Sequence, residues 1–107
     1  MKKILYVLLE QWADWEPAYL RSAVTMLGNG AFENKTVSIT KSPVTSIGGA
    51  VCVPDYDLQD VPDDYVALIL VGGLSWHSEQ ALLVAPLVQE CVKSGKVLGA
   101  VCDACRF

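Results

Sequence analysis

The chain has 107 residues, enough for one small domain. Eight Lys+Arg against twelve Asp+Glu leave a net charge of −4, so the basic footprint that grips phosphate backbones is missing and general nucleic-acid binding is excluded. A 52% hydrophobic content excludes a disordered chain, and 19% charged residues is low for so small a domain, which points to a large partner interface or to a chain cut from a longer one.

Met1-Lys2-Lys3 before the apolar residues 4–9 looks like the start of a signal peptide, but the run ends at Glu10 and no small-residue cleavage site follows. A secretory core needs about 7–15 apolar residues and a membrane span about 20. Residues 4–9 are therefore predicted as a first strand, covered on both faces as in a parallel sheet. No membrane partner is expected, and the default location is cytoplasmic. Residues 11–15 read as a loop. Pro17 fits the first turn of a helix, where its missing N–H does no harm. Tyr19, Leu20, Ala23, Val24 and Leu27 continue the helical spacing until Gly28-Asn29-Gly30 stops it. Residues 35–40 alternate as a strand. Residues 44–47 and 50–53 flank Gly48-Gly49 as a small hairpin. Residues 54–64 are an acidic loop. Residues 66–71 form a second continuous apolar strand, ended by Gly72-Gly73. Residues 82–93 are a helix with Pro86 near its first turn, closed by Gly95. Residues 97–101 are a third apolar strand that runs into Cys102.

Strands alternating with helices imply an α/β fold: a doubly wound, mostly parallel sheet sandwiched by helices. The chain stops five residues after Cys102, where a helix is expected to begin. Residues 1–107 therefore read as the N-terminal part of one larger domain.

In such sheets, ligands bind beyond the carboxyl ends of the strands. The first strand leads to Glu10, Asp14 and Glu16, the second to Gly72-Gly73, and the third to Cys102. Cys102 stands at a strand-to-helix junction, the geometry of a nucleophile elbow, and the small Ala100 and Ala104 suit a tight bend there. A helix start after it would favour the thiolate. By position alone the same cysteine also reads as an inert small hydrophobe. Gly72 and Gly73 let backbone N–H groups approach a developing oxyanion, or form an ordinary turn. Glu16 reads equally as a helix-start carboxylate. Cys102 and Cys105 form a C-x-x-C, the spacing of thiol redox sites. A lone pair cannot complete a zinc site, and Cys52 and Cys91 are remote in sequence, so neither metal nor organic cofactor is expected.

Together, three segments resemble the ThiJ/PfpI family of the class I glutamine amidotransferase-like, flavodoxin-like superfamily. Asp14-Trp15-Glu16 is similar to its acidic motif after the first strand. Leu68-Ile69-Leu70-Val71-Gly72-Gly73 is similar to its apolar run ending in Gly-Gly, with Val71 for the usual proline. Residues 93–102 (KSGKVLGAVC) are similar to its approach to the cysteine. The resemblance implies Cys102 as nucleophile, Glu16 as a carboxyl hydrogen-bonded to the sulfur, and Gly73, beside Gly72, as an oxyanion-side donor. It also implies a longer family domain. After the cysteine, members often carry His, where Asp103 stands here; an acid is usual where His77 stands. An exchanged pair follows as an expectation, with His77 as base and Asp103 orienting it, within or between subunits.

Three functions are compatible with these residues. One is a cysteine-dependent hydrolase or amidotransferase-like enzyme on a small carbonyl, amide or glycated substrate, with peptidase activity disfavoured by Asp103. The second is a stress-response redox sensor using Cys102 and Cys105. The third is a non-catalytic binding domain. A homo-oligomer is expected under all three, because Trp12, Trp15 and Trp76 near the rim supply either an apolar interface or pocket walls.

Overall fold

The first apolar run folds as β1 (Lys2–Val7), whose Leu5, Tyr6 and Val7 are all fully buried. Successive strand residues point to opposite faces. Leu5 and Val7 therefore enter one core and Tyr6 the other. The computed structural model describes residues 1–106, apart from the side chains of Asp103 and Arg106. After β1 come α1 (Trp15–Leu27), β2 (Phe32–Ser38), β3 (Val44–Thr45), β4 (Val51–Cys52), β5 (Tyr56–Asp57) and β6 (Tyr65–Leu70). A 3-10 helix (Glu79–Val84), α2 (Ala85–Lys93), β7 (Val97–Ala100) and a second 3-10 helix (Cys102–Arg106) complete the order.

Five strands form one sheet in the order β5-β2-β1-β6-β7, with every neighbouring pair parallel. The chain leaves β1 toward β2 on one side and later adds β6 and β7 on the other. The winding thus reverses between β1 and β6, which makes that crevice the switch point of the sheet. α2 packs Val88 and Cys91 onto the Leu5/Val7 face. α1 covers the Tyr6 face: its Arg21 guanidinium lies 5.9 Å from the Tyr6 ring centroid, and the Tyr6 hydroxyl donates to Asn34. The two cores are unequal. Each fully buried aliphatic side chain contributes roughly 1.5–3 kcal/mol, and Pro17 is the only buried residue of α1. Tyr19 and Met26 stay 84% and 79% exposed. The doubly wound parallel sheet matches expectation.

Several boundaries differ from the sequence reading. β1 ends at Val7, and Leu8 extends the pairing by one bond to the Val37 carbonyl before the chain turns. β2 begins at Phe32, earlier than the expected residue 35, because residues 32–37 pair in register with residues 2–7. The acidic loop holds a strand, β5, beside β2. The Asp55 carboxylate accepts bonds from the Thr36 N–H and hydroxyl, and the Asp55 N–H returns one to that hydroxyl. This exchange sets the loop alongside β2. The helix expected over residues 82–93 is divided, a 3-10 segment preceding α2, with Pro86 in the first turn of α2 as read.

Candidate active site

Register brings three strand ends to one rim. Val7 pairs with Leu70, and Leu70 with Ala100. The segments that follow therefore emerge side by side: the first loop, Gly72-Gly73, and Cys102. Val101 donates its N–H to the Leu70 carbonyl, which holds the chain to the sheet until the residue before the cysteine.

Cys102 then turns sharply. Its φ is +52°, in the left-handed region that non-glycine residues seldom occupy. Such a conformation costs on the order of 1–3 kcal/mol and persists only where the surroundings impose it. Ala104, fully buried, closes the bend by donating its N–H to the Val101 carbonyl. The Cys102 side chain is exposed. These are the features of an elbow that lifts a thiol off a strand end.

Glu16 is the second residue of α1, half-buried, and reaches the same place. A Cβ built on Gly72 would lie 2.6 and 2.8 Å from the two carboxyl oxygens of Glu16 and 2.7 Å from the Val101 carbonyl oxygen. The acid therefore occupies the space a side chain at 72 would fill, beside the residue that leads into Cys102. Glu16 Oε1 is buried and has no hydrogen-bond partner among the described residues. Gly73 is closed in differently. Its Cβ would stand 2.5 Å from the Gln11 carbonyl oxygen and 2.8 Å from Trp12 Cα. There the two loops form an isolated antiparallel bridge, Trp12 opposite Gly73. Its bonds run from the Ala13 N–H to the Gly72 carbonyl and from the Leu74 N–H to the Gln11 carbonyl. The bridge thus spends the flanking groups and not the Gly73 N–H.

Residues 2–107 match the model of the DJ-1/PfpI family. The chain belongs to that family. It is 34% identical over 107 residues to the Bacillus subtilis protein named "Uncharacterized protease YdeA", covering 100% of this chain and 52% of that protein. Among solved structures, a DJ-1 superfamily protein from Agrobacterium tumefaciens superposes with a TM-score of 0.84 at 32% identity, over 95% of this chain and 54% of that one. A thiJ/pfpI family protein from Bacillus anthracis gives a TM-score of 0.85 at 26% identity, over 96% and 51%. The chain spans about half the length of the curated relatives it matches.

The other expected site residues of this DJ-1/PfpI chain are placed less centrally. His77 is exposed, on the loop between Gly73 and the first 3-10 helix. Hydroxyls tie that loop down: Ser75 donates to the Glu10 carbonyl at 2.5 Å and Ser78 to the Ser75 carbonyl at 2.7 Å. The expected His77–Asp103 pair lies, on its Asp103 side, outside the described residues. Cys105 is exposed, with its Sγ 3.4 Å from the Ala100 carbonyl. The tryptophans divide. Trp12 and Trp76 belong to the two cores, and Trp76 Nε1 donates to the Val71 carbonyl at 2.7 Å. Trp15 alone of the three is exposed, at 58%, so the apolar rim expected of three indoles rests on one.

Sequence reasoning missed the tie between the first loop and the β3–β4 hairpin. Asp14 stands at the start of α1, where a helix-capping role is the ordinary reading, yet its carboxylate caps nothing there. It accepts instead from the Ser46 hydroxyl at 2.5 Å and the Gly48 N–H at 2.8 Å. The Ser46 hydroxyl and then the Gly48 N–H hold the Asp14 carboxyl below its ordinary pKa. Glu10 accepts the Thr45 N–H in the same seam. No local signal marks these partners, which come from the far side of β2.

A cleft of about 370 Å³ opens past β1 and β2 between Glu10, Ser38, Thr40 and Ser78. Cys102 and Glu16 are not among its walls. No helix among the described residues is long and apolar enough to cross a membrane. No group of three or more His, Cys, Asp or Glu placed to hold a metal occurs among the described residues.

Proposed function

We propose that the chain supplies the nucleophile, acid and oxyanion-side donor of a cysteine-dependent hydrolase or amidotransferase-like enzyme acting on a small carbonyl or amide substrate in the cytoplasm. The observation that carries this reading is the exposed Cys102 at φ +52°, one residue past Val101, whose carbonyl oxygen and the Glu16 carboxyl both crowd the space over Gly72. The Cys102 sulfur attacks the substrate carbonyl carbon. Negative charge gathers on the carbonyl oxygen and is met by the Gly73 N–H, which the bridge to Trp12 leaves unspent. Glu16, wedged over Gly72, tunes the thiolate and does not take its proton. His77 serves as base, with Asp103 orienting it. Peptide hydrolysis is not part of the proposal, because Asp103 stands where protease-like members carry histidine.

The enzyme works as a homo-oligomer in this reading. Exposed Trp15, Tyr19, Ile47, Val51 and Val53 on α1 and the β3–β4 hairpin supply the apolar surface. The test is turnover of small ester, amide and α-oxoaldehyde substrates by the full chain. Cys102→Ser abolishes it and Glu16→Gln depresses it; full activity in both variants rejects the assignment.

A further inference from the structure

The C-x-x-C at the rim is not used by the hydrolytic reading, and its backbone gives it a use. Residues Cys102–Arg106 form a 3-10 helix. Across one such turn a rise of about 2.0 Å per residue puts Cα atoms three residues apart roughly 6 Å from each other. A disulfide needs a Cα separation of about 4.4–6.8 Å. Both residues are exposed. Cys105 Sγ reaches back to the Ala100 carbonyl, toward the strand end from which Cys102 departs. The remaining thiols are placed otherwise. Cys91 is fully buried, and burial pushes its pKa up. Cys52 lies half-buried in β4 with its Sγ toward the Thr36 hydroxyl.

We propose that Cys102 and Cys105 are a reversible disulfide site, closed by a hydroperoxide, that withdraws the nucleophile from the rim. The withdrawal rests on Cys102 being the nucleophile; the disulfide itself does not. In the first step the Cys102 thiolate attacks the terminal peroxide oxygen. The O–O bond breaks, a sulfenic acid forms, and the departing oxygen leaves as water or an alcohol after taking a proton. In the second, the Cys105 sulfur attacks the sulfenic sulfur. The S–S bond forms, the S–O bond breaks, and hydroxide leaves as water with the Cys105 proton. Two thiols lose two electrons to one peroxide. A dithiol reverses the step by exchange through a mixed disulfide. Oxidation in this site is recoverable, because the resolving thiol sits one turn away before a second peroxide can carry the sulfenic acid to the irreversible sulfinic state.

The experiment treats the full chain with hydrogen peroxide, quenches with iodoacetamide, and maps tryptic peptides by mass alongside turnover. The expected result is a peptide 97–106 with both cysteines unalkylated and linked, and loss of turnover that dithiothreitol restores. Cys105→Ser keeps its turnover before peroxide, accumulates a dimedone-reactive Cys102, and loses the dithiothreitol recovery. The proposal is overturned if wild-type Cys102 ends mainly as sulfenic or sulfinic acid with no link, if Cys105 links to Cys52, or if Cys105→Ser recovers as wild type does. The mass readout separates the two claims. A link that forms while Cys102→Ser retains turnover removes the nucleophile and leaves the disulfide. An inactive Cys102→Ser without a wild-type link does the reverse.

Discussion

At the end of α2, Cys91 is sealed in the core with its Sγ toward the Val97 and Lys96 carbonyls, at 3.6 and 3.9 Å. At the end of β7, Cys102 stands in the open on a left-handed bend. The residue type is the same, and so is the neighbourhood of strand β7. The difference is backbone placement. A helix interior turned toward the sheet buries a thiol and disfavours its anion, while a strand that stops abruptly at a rim exposes one. Exposure of a cysteine in this chain is thus set by where the chain bends more than by cysteine count.

The sharpest way to break this contrast is to remove the exposed thiol. Cys102→Ser should lower turnover by at least about a thousandfold. Cys102→Gly should be equally inactive yet melt higher, by about 1 kcal/mol of stability, since glycine relaxes at positive φ; a lower melting temperature would deny the bend its strain. Next in size is the acid. Glu16→Gln should cost roughly a hundredfold in turnover and shift the pH midpoint of Cys102 alkylation, read by iodoacetamide rates. Third, Gly72→Ala forces a methyl into the Glu16 carboxyl and the Val101 carbonyl. It should destabilise the fold by about 2 kcal/mol in urea titrations and lower turnover with it.

Cys91→Ser is the counterpart of the first change. It should leave turnover intact and cost about 1 kcal/mol for placing a hydroxyl in the core. In the wild type, iodoacetamide should label Cys102 on the order of a hundredfold faster than Cys91. The smallest effect concerns the hairpin seam. The Asp14 pKa is lowered from an ordinary 3.8 by its bonds to Ser46 and Gly48. A depressed folded value means the seam is fully formed above that ordinary value and is lost as pH falls through the lower one. Amide exchange at Gly48 should therefore gain protection-free character only below about pH 4 relative to an Asp14→Asn variant, which should show it at every pH.

The continuous apolar runs made the three central strands legible, because burial on both faces leaves no polar alternation to misread. They did not show where pairing stops, so β1, β6 and β7 each end one or two residues before their runs do. β5 was invisible, since Tyr56–Asp57 carries no apolar run and owes its place to Asp55 bonding with Thr36 across the fold. The site was legible in part. Gly72-Gly73 is visible as a pair, and its motif context pointed to Glu16 and Cys102. The reasons for the two glycines, a carboxyl over one and a neighbouring loop against the other, are tertiary and leave no trace in spacing. Trp12 and Trp76, read as either an apolar interface or pocket walls, lie in the two cores, and the neighbours that enclose them are tertiary as well.

At the flank opposite β7, the sheet finishes on β5, two residues long and joined to β2 only at Val37 and Ser38. Asp57 and Asp60 crowd the turn beyond it, and Lys41 pairs with Asp60 across its mouth. So brief and so charged a margin gives an arriving chain almost no ladder to copy. Strand-by-strand polymerisation is therefore discouraged on that flank by the same aspartates that shape the loop.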